Sequence, residues 1–133
     1  MKRLASSLAL VTISLVGCAT TQLYDGPKRG AEEIVVIRGM SNLDVSAGGL
    51  AAKVCEFDEK PLKTCEPSIE FLPGEHTLKI QSTYFGITQE TQTVFRDFHA
   101  GERFVLGIQQ RGAFPNMPAL IYDGNVTNKP STK

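Results

Sequence analysis

Two histidines, three cysteines and a few clustered acids are the groups in this 133-residue chain with chemistry to offer. His99 and Glu102 flank an Ala100-Gly101 turn, with Asp97 just upstream, and such nitrogen and oxygen donors could hold a metal ion or a small ligand. Two ligands make a weak metal site, and the ordinary reading is a solvated turn pair. His76 shares parity with Leu78 and Ile80. That pattern suits a partly buried histidine with its nitrogens satisfied by backbone better than a catalytic base. Glu56, Asp58 and Glu59 form an acidic turn that could attract a cation, but they lack the Asp/Asn ladder of a calcium loop, so they read as solvated surface. No GxSxG, HExxH, glycine-rich phosphate loop or CxxC occurs. The chain therefore offers no catalytic residues and no metal or cofactor site.

The first cysteine is different. Met1-Lys2-Arg3 carries two positive charges and is followed by the apolar run LASSLALVTIS, Leu4 to Ser14. A basic segment before a short apolar run is the pattern of a secretory signal peptide. The run is too short to span a bilayer, which takes roughly 20 apolar residues. Leu15-Val16-Gly17-Cys18 then resembles the lipobox of bacterial lipoproteins. The resemblance implies that the Cys18 thiol receives a diacylglyceryl group, that the signal of residues 1–17 is removed, and that the new amine is acylated. Ala19, in place of Asp, implies sorting to the outer membrane, with the domain facing the periplasm. Burial stabilises an acyl anchor by about 0.8 kcal/mol per CH₂, and two chains already hold a protein stably.

Removing residues 1–17 from 133 leaves 116, enough for one domain with a modest core. Lys2 and Arg3 leave with the signal, so 12 basic residues of the original 14 face 14 acidic ones. There is no basic patch or Arg-rich run, which argues against a nucleic-acid partner. With Cys18 lipidated, Cys55 and Cys65 remain. An even pair in an exported chain reads as a disulfide; a zinc site needs more ligands at suitable spacing.

The elements that position these groups are strands. Residues 18–31 are polar and turn-rich and suit a flexible tether. From residue 32 to 123, short alternating apolar runs are broken by Gly, Pro, Asp and Asn, which signals a single all-β sandwich of about seven short strands. EEIVVIRG at 32–39 is apolar on both parities and suits a strand buried on both sides. LDVS at 43–46 alternates. LAAKVCEFD at 50–58 is Ala-rich and compatible with a strand or a helical turn, and Asp58 to Pro61 turns the chain. SIEFLPGEHTLKI at 68–80 reads as a hairpin, with Pro73-Gly74 at the centre of a type II turn. ITQETQTVFRDF at 87–98 suits a long solvated or edge strand with a bulge or end near Arg96-Asp97. ERFVLGIQQ at 102–110 turns Phe104, Leu106 and Ile108 one way, and PALIYD at 118–123 is a last strand. Residues 124–133 read as a polar, disordered tail that includes the sequon-like NVT at 125–127.

Leu72 to Leu78 (LPGEHTL) and Ala100 to Leu106 (AGERFVL) resemble the Pro-Gly and Ala-Gly hairpins of PEGA-type sandwich domains. They also resemble small bacterial lipoproteins with a transthyretin-like or immunoglobulin-like sandwich. These elements report turn chemistry, so the resemblance implies a fold and no activity. One loop adds a candidate contact. Arg111 to Leu120 (RGAFPNMPAL) places Arg111, Phe114 and Met117 either as a lid on the core or as an exposed patch for a partner. The expectation is thus a non-catalytic lipoprotein, anchored through Cys18, that binds another envelope component. A small-ligand or metal-binding lipoprotein is the alternative.

Overall fold

The computed structural model describes residues 20–40, 49–109 and 117–127. Within them the chain forms nine strands and no helix. They are β1 (Thr21–Gln22), β2 (Val35–Arg38), β3 (Leu50–Phe57), β4 (Lys60–Glu66), β5 (Ile69–Phe71), β6 (Gly74–Tyr84), β7 (Ile87–Phe98), β8 (Glu102–Gln109) and β9 (Met117–Asn125). A five-stranded sheet in the order β1-β5-β2-β8-β9 packs on a four-stranded sheet in the order β4-β3-β6-β7. The protein is an all-β sandwich, with nine strands described rather than about seven. LDVS at 43–46 lies outside the described residues.

The core sits between the sheets, where period-two alternation sends every second side chain inward. Val35, Ile37, Ile69, Phe71, Phe104 and Leu106 come from the larger sheet; Ala52, Val54, Leu78, Ile80 and Phe98 come from the smaller one. Each large apolar side chain so buried stabilises the fold by about 1.5–3 kcal/mol. On the outer face of β2, Val36 is only half-buried, so this central strand is not buried on both sides. The Ala-rich segment is a strand, not a helical turn, with Lys53 outward between buried Ala52 and Val54. Its register shifts between Val54 and Glu56. Cys55 is the extra residue of that bulge and is buried beside Val54. The Cys55–Cys65 disulfide joins β3 to β4 there, with Cα atoms 4.2 Å apart.

The segment at 68–80 is not a hairpin. β5 pairs with β1 and β2 in the larger sheet, whereas β6 pairs with β3 and β7 in the smaller one. Leu72-Pro73 is therefore a corner between sheets. Gly74 has φ of 130°, away from the roughly +80° of a type II turn and open only to glycine. Alternation cannot separate the two cases, because a hairpin and a corner bury the same parity. Ala100-Gly101 is a second corner: it leads from β7 into β8, which pairs with β2 and β9. The Gly101 N–H donates to the Ile34 carbonyl at 2.9 Å, and the Gly101 carbonyl accepts from the Val126 N–H at 2.9 Å.

Two hairpins do occur in the smaller sheet. Asp58-Glu59 (φ 50° and 65°) joins β3 to β4, and Phe85-Gly86 (φ 45° and 80°) joins β6 to β7. Positive φ at both central residues is the type I′ arrangement, whose twist matches paired strands. β7 is an edge strand and ends at Phe98, but its bulge lies at Gln89, opposite Ser82 and Thr83, rather than near Arg96-Asp97.

Both ends of the described chain are tied down more than their composition suggests. Thr21 and Leu23 donate backbone hydrogen bonds to Ser68 and Glu70 at 3.0 and 2.9 Å. Leu23 packs on the core, and the Tyr24 hydroxyl donates to buried Glu70 at 3.1 Å. The 18–31 tether is thus docked from Thr21, because β5 offers an unpaired edge to any extended neighbour. At the other end β9 runs to Asn125, past the expected boundary at 123. Asn125 Oδ1 accepts from the Thr127 N–H at 2.8 Å and the Asn125 amide donates to the Ala100 carbonyl at 3.3 Å.

Candidate functional site

His76 is enclosed. Nε2 donates to the Leu72 carbonyl at 2.8 Å, and Nδ1 lies 2.7 Å from Asp58 Oδ2. The ring packs against Phe57 and Phe71, with centroids 4.8 and 5.2 Å away. One nitrogen is met by backbone as expected, and the other by a carboxylate 18 residues upstream. Asp58 also accepts the Thr77 N–H at 3.0 Å, so the acidic turn between β3 and β4 is fastened to β6. Of its other members, Glu56 pairs with Lys79 at 3.1 Å.

His99, Asp97 and Glu102 do come together at the second corner. His99 Nδ1 lies 3.3 Å from Glu102 Oε1, and Nε2 lies 3.7 Å from Asp97 Oδ2. Glu102, however, is the buried member and is already engaged. Its Oε2 accepts the His99 N–H at 2.9 Å, and Arg96 Nη2 stands 3.5 Å from Oε1. The carboxylate closes the turn that carries it. Among the described residues, no group of three His, Cys, Asp or Glu side chains is placed to hold a metal ion. An open depression of about 400 Å³ beside β8 and β9 is lined by Arg103, Tyr122, Asp123 and Asn125. Its Asp123 is paired with Arg38 at 2.6 Å.

Of the expected contact residues, Met117 opens β9 opposite Gln109 and is half-buried. Arg111 and Phe114 lie outside the described residues, as does Cys18.

The tip of the β6–β7 hairpin shows what the sequence reading passed over. Tyr84, Phe85 and Ile87 are 45%, 73% and 68% exposed. From Gln81 to Gln89 no residue is charged. The turn holds Phe85 at φ 45°, a region that a bulky residue rarely occupies and that type I′ turns usually give to Asn, Asp or Gly. The tip is nonetheless ordered by specific contacts. The Phe85 N–H donates to the Gly49 carbonyl at 2.9 Å, and the ring meets Tyr84 edge-on at 4.6 Å. Gly49 is the seat: a Cβ there would lie 2.6 Å from the Phe85 ring. The available signal was two adjacent aromatics, Tyr84 and Phe85, within a run that carries no charge. Comparison of the chain with protein-family models, with curated proteins and with solved structures finds no match.

Proposed function

We propose that the protein is a non-catalytic, lipid-anchored module of the bacterial cell envelope that works by binding another envelope component. The observation that carries this reading is the placement of Leu15-Val16-Gly17-Cys18. A lipobox-like sequence closes an apolar run and ends three residues before Thr21, where β1 begins. A domain that starts so close to its anchor is held at the membrane surface, where Ala19 favours the outer membrane and the periplasmic face. The rest of the molecule suits a scaffold. Its buried polar side chains serve the fold, Glu102 closing a corner, Glu70 holding Tyr24 and Ser82 bonding across to Glu90, while Tyr84, Phe85 and Ile87 stand exposed together at a hairpin tip.

The test is Cys18→Ala expressed with its full signal. The expected result is an uncleaved or soluble precursor that no longer enters the detergent phase on Triton X-114 separation. A Cys18→Ala chain that is still processed and still partitions like the parent protein would overturn the reading.

A further inference from the structure

We infer that the β6–β7 tip is a second membrane contact, inserting Tyr84, Phe85 and Ile87 into the interfacial region of the bilayer that carries the Cys18 anchor. The inference rests on the lipid-anchor reading and adds a site and its ligand class, the lipid surface.

Strand direction supplies the first argument. β5 ends at Phe71 and reaches β6 through two residues, so the end of β5 and the start of β6 share one end of the sandwich. Phe71, Phe98 and Phe104 make ring contacts there. β6 then runs 11 residues away from that end to the tip. β1 pairs in parallel with β5 and therefore heads toward the closed end. Thr20, the first described residue, therefore enters β1 from the side of the tip. Three chain steps of about 3.6 Å each keep the Cys18 backbone, from which the lipid would extend further, within about 11 Å of the start of β1.

The chemistry of the tip supplies the second. Two aromatics and an isoleucine without a charge among them suit the boundary between headgroups and acyl chains, where amphipathic Tyr and apolar Phe both lower their free energy. The nearest charged residues along these strands, Lys79 and Glu90, stand back from the tip, and its neighbours Thr83, Thr88 and Gln89 are uncharged, so no ion has to be dehydrated when the tip meets that boundary. Strain points the same way: Phe85 occupies positive φ where Asn or Gly would sit more easily. A local cost retained at an exposed site marks function at that site.

The chain contains no Trp, so a single substitution gives a clean reporter. Phe85→Trp and, separately, Ile87→Trp are prepared in the full lipidated chain. Each is reconstituted into phosphatidylethanolamine–phosphatidylglycerol vesicles with or without brominated acyl chains. Phe95→Trp, an exposed position on β7 away from the tip, is the control. Circular dichroism confirms folding, and intact mass reports the acyl groups independently of the tip. The expected result is emission at shorter wavelength, with loss of most of its intensity to brominated lipid, for both tip reporters and not for the control. Water-like, unquenched emission from both tip reporters in acylated protein overturns the inference while leaving the anchor intact. Equal quenching of the control overturns it too. A concentration-dependent blue shift without vesicles would assign the tip to a second copy. A shift confined to native membranes and lost in pure lipid would assign it to a protein partner. Either replaces the bilayer. A mass without acyl groups refutes the anchor reading itself.

Discussion

The two ends of the sandwich use the same residue types in opposite ways. At the closed end Phe71, Phe98 and Phe104 are sealed, and Phe57 and His76 pack on them. At the far end Tyr84, Phe85 and Ile87 stand in solvent. Hydrophobicity does not distinguish them; the connections do. Both corners, Leu72-Pro73 and Ala100-Gly101, cross between the sheets at the closed end, so Phe71, Phe98 and Phe104 meet one another across the two layers. The β6–β7 hairpin instead turns back within its own sheet, and complete burial along β6 stops at Ser82. An aromatic residue contributes to the fold only where a second layer covers it.

The contrast breaks most visibly at Phe71. Phe71→Ala should cost about 3–5 kcal/mol through lost burial and a residual cavity, measured as urea unfolding of the purified protein. Next comes the β3–β4 bridge. Reducing Cys55–Cys65, which closes a loop over a sequence separation of 10, should remove about 3 kcal/mol in the chain-entropy model. Thermal melts with and without reductant give the number, and an unchanged midpoint would mean that the hairpin holds itself. Asp58→Ala leaves the Thr77 N–H and His76 Nδ1 without their partner and should cost about 1–2 kcal/mol. Asp58→Asn keeps an acceptor and tolerates positive φ, so its loss should be smaller. The smallest effect belongs to the tip. Phe85→Asn relieves an unfavourable φ while losing only an exposed ring, so stability should stay within about 0.5 kcal/mol of the parent. A loss there as large as that of Phe71→Ala would erase the distinction between the two ends.

The all-β class, most strand positions and the disulfide were legible from period-two alternation, turn residues and an even cysteine pair. The corners were not. Ile69 and Phe71 on β5 face the same core as Leu78 and Ile80 on β6, and inward parity is identical whether the chain folds back or crosses over. β1 was hidden for another reason: Thr21 and Leu23 are held by backbone hydrogen bonds to Ser68 and Glu70, which leave no apolar pattern. His76 was correctly read as half-buried and bonded, but its Asp58 partner depends on how β3, β4 and β6 meet. The tip escaped because Phe85 violates the rule by which turns are found. A bulky aromatic at positive φ carries no turn signal, and its exposure follows from where the opposing sheet ends.

The most direct measurement of the whole account is the intact mass of the protein extracted from membranes of cells expressing the full chain. The account predicts a polypeptide of 116 residues beginning at Cys18, heavier than its sequence by a diacylglyceryl group and an amide-linked acyl chain, with Cys55 and Cys65 oxidised. A chain that keeps residues 1–17, or one cut elsewhere and bearing no lipid, would contradict it.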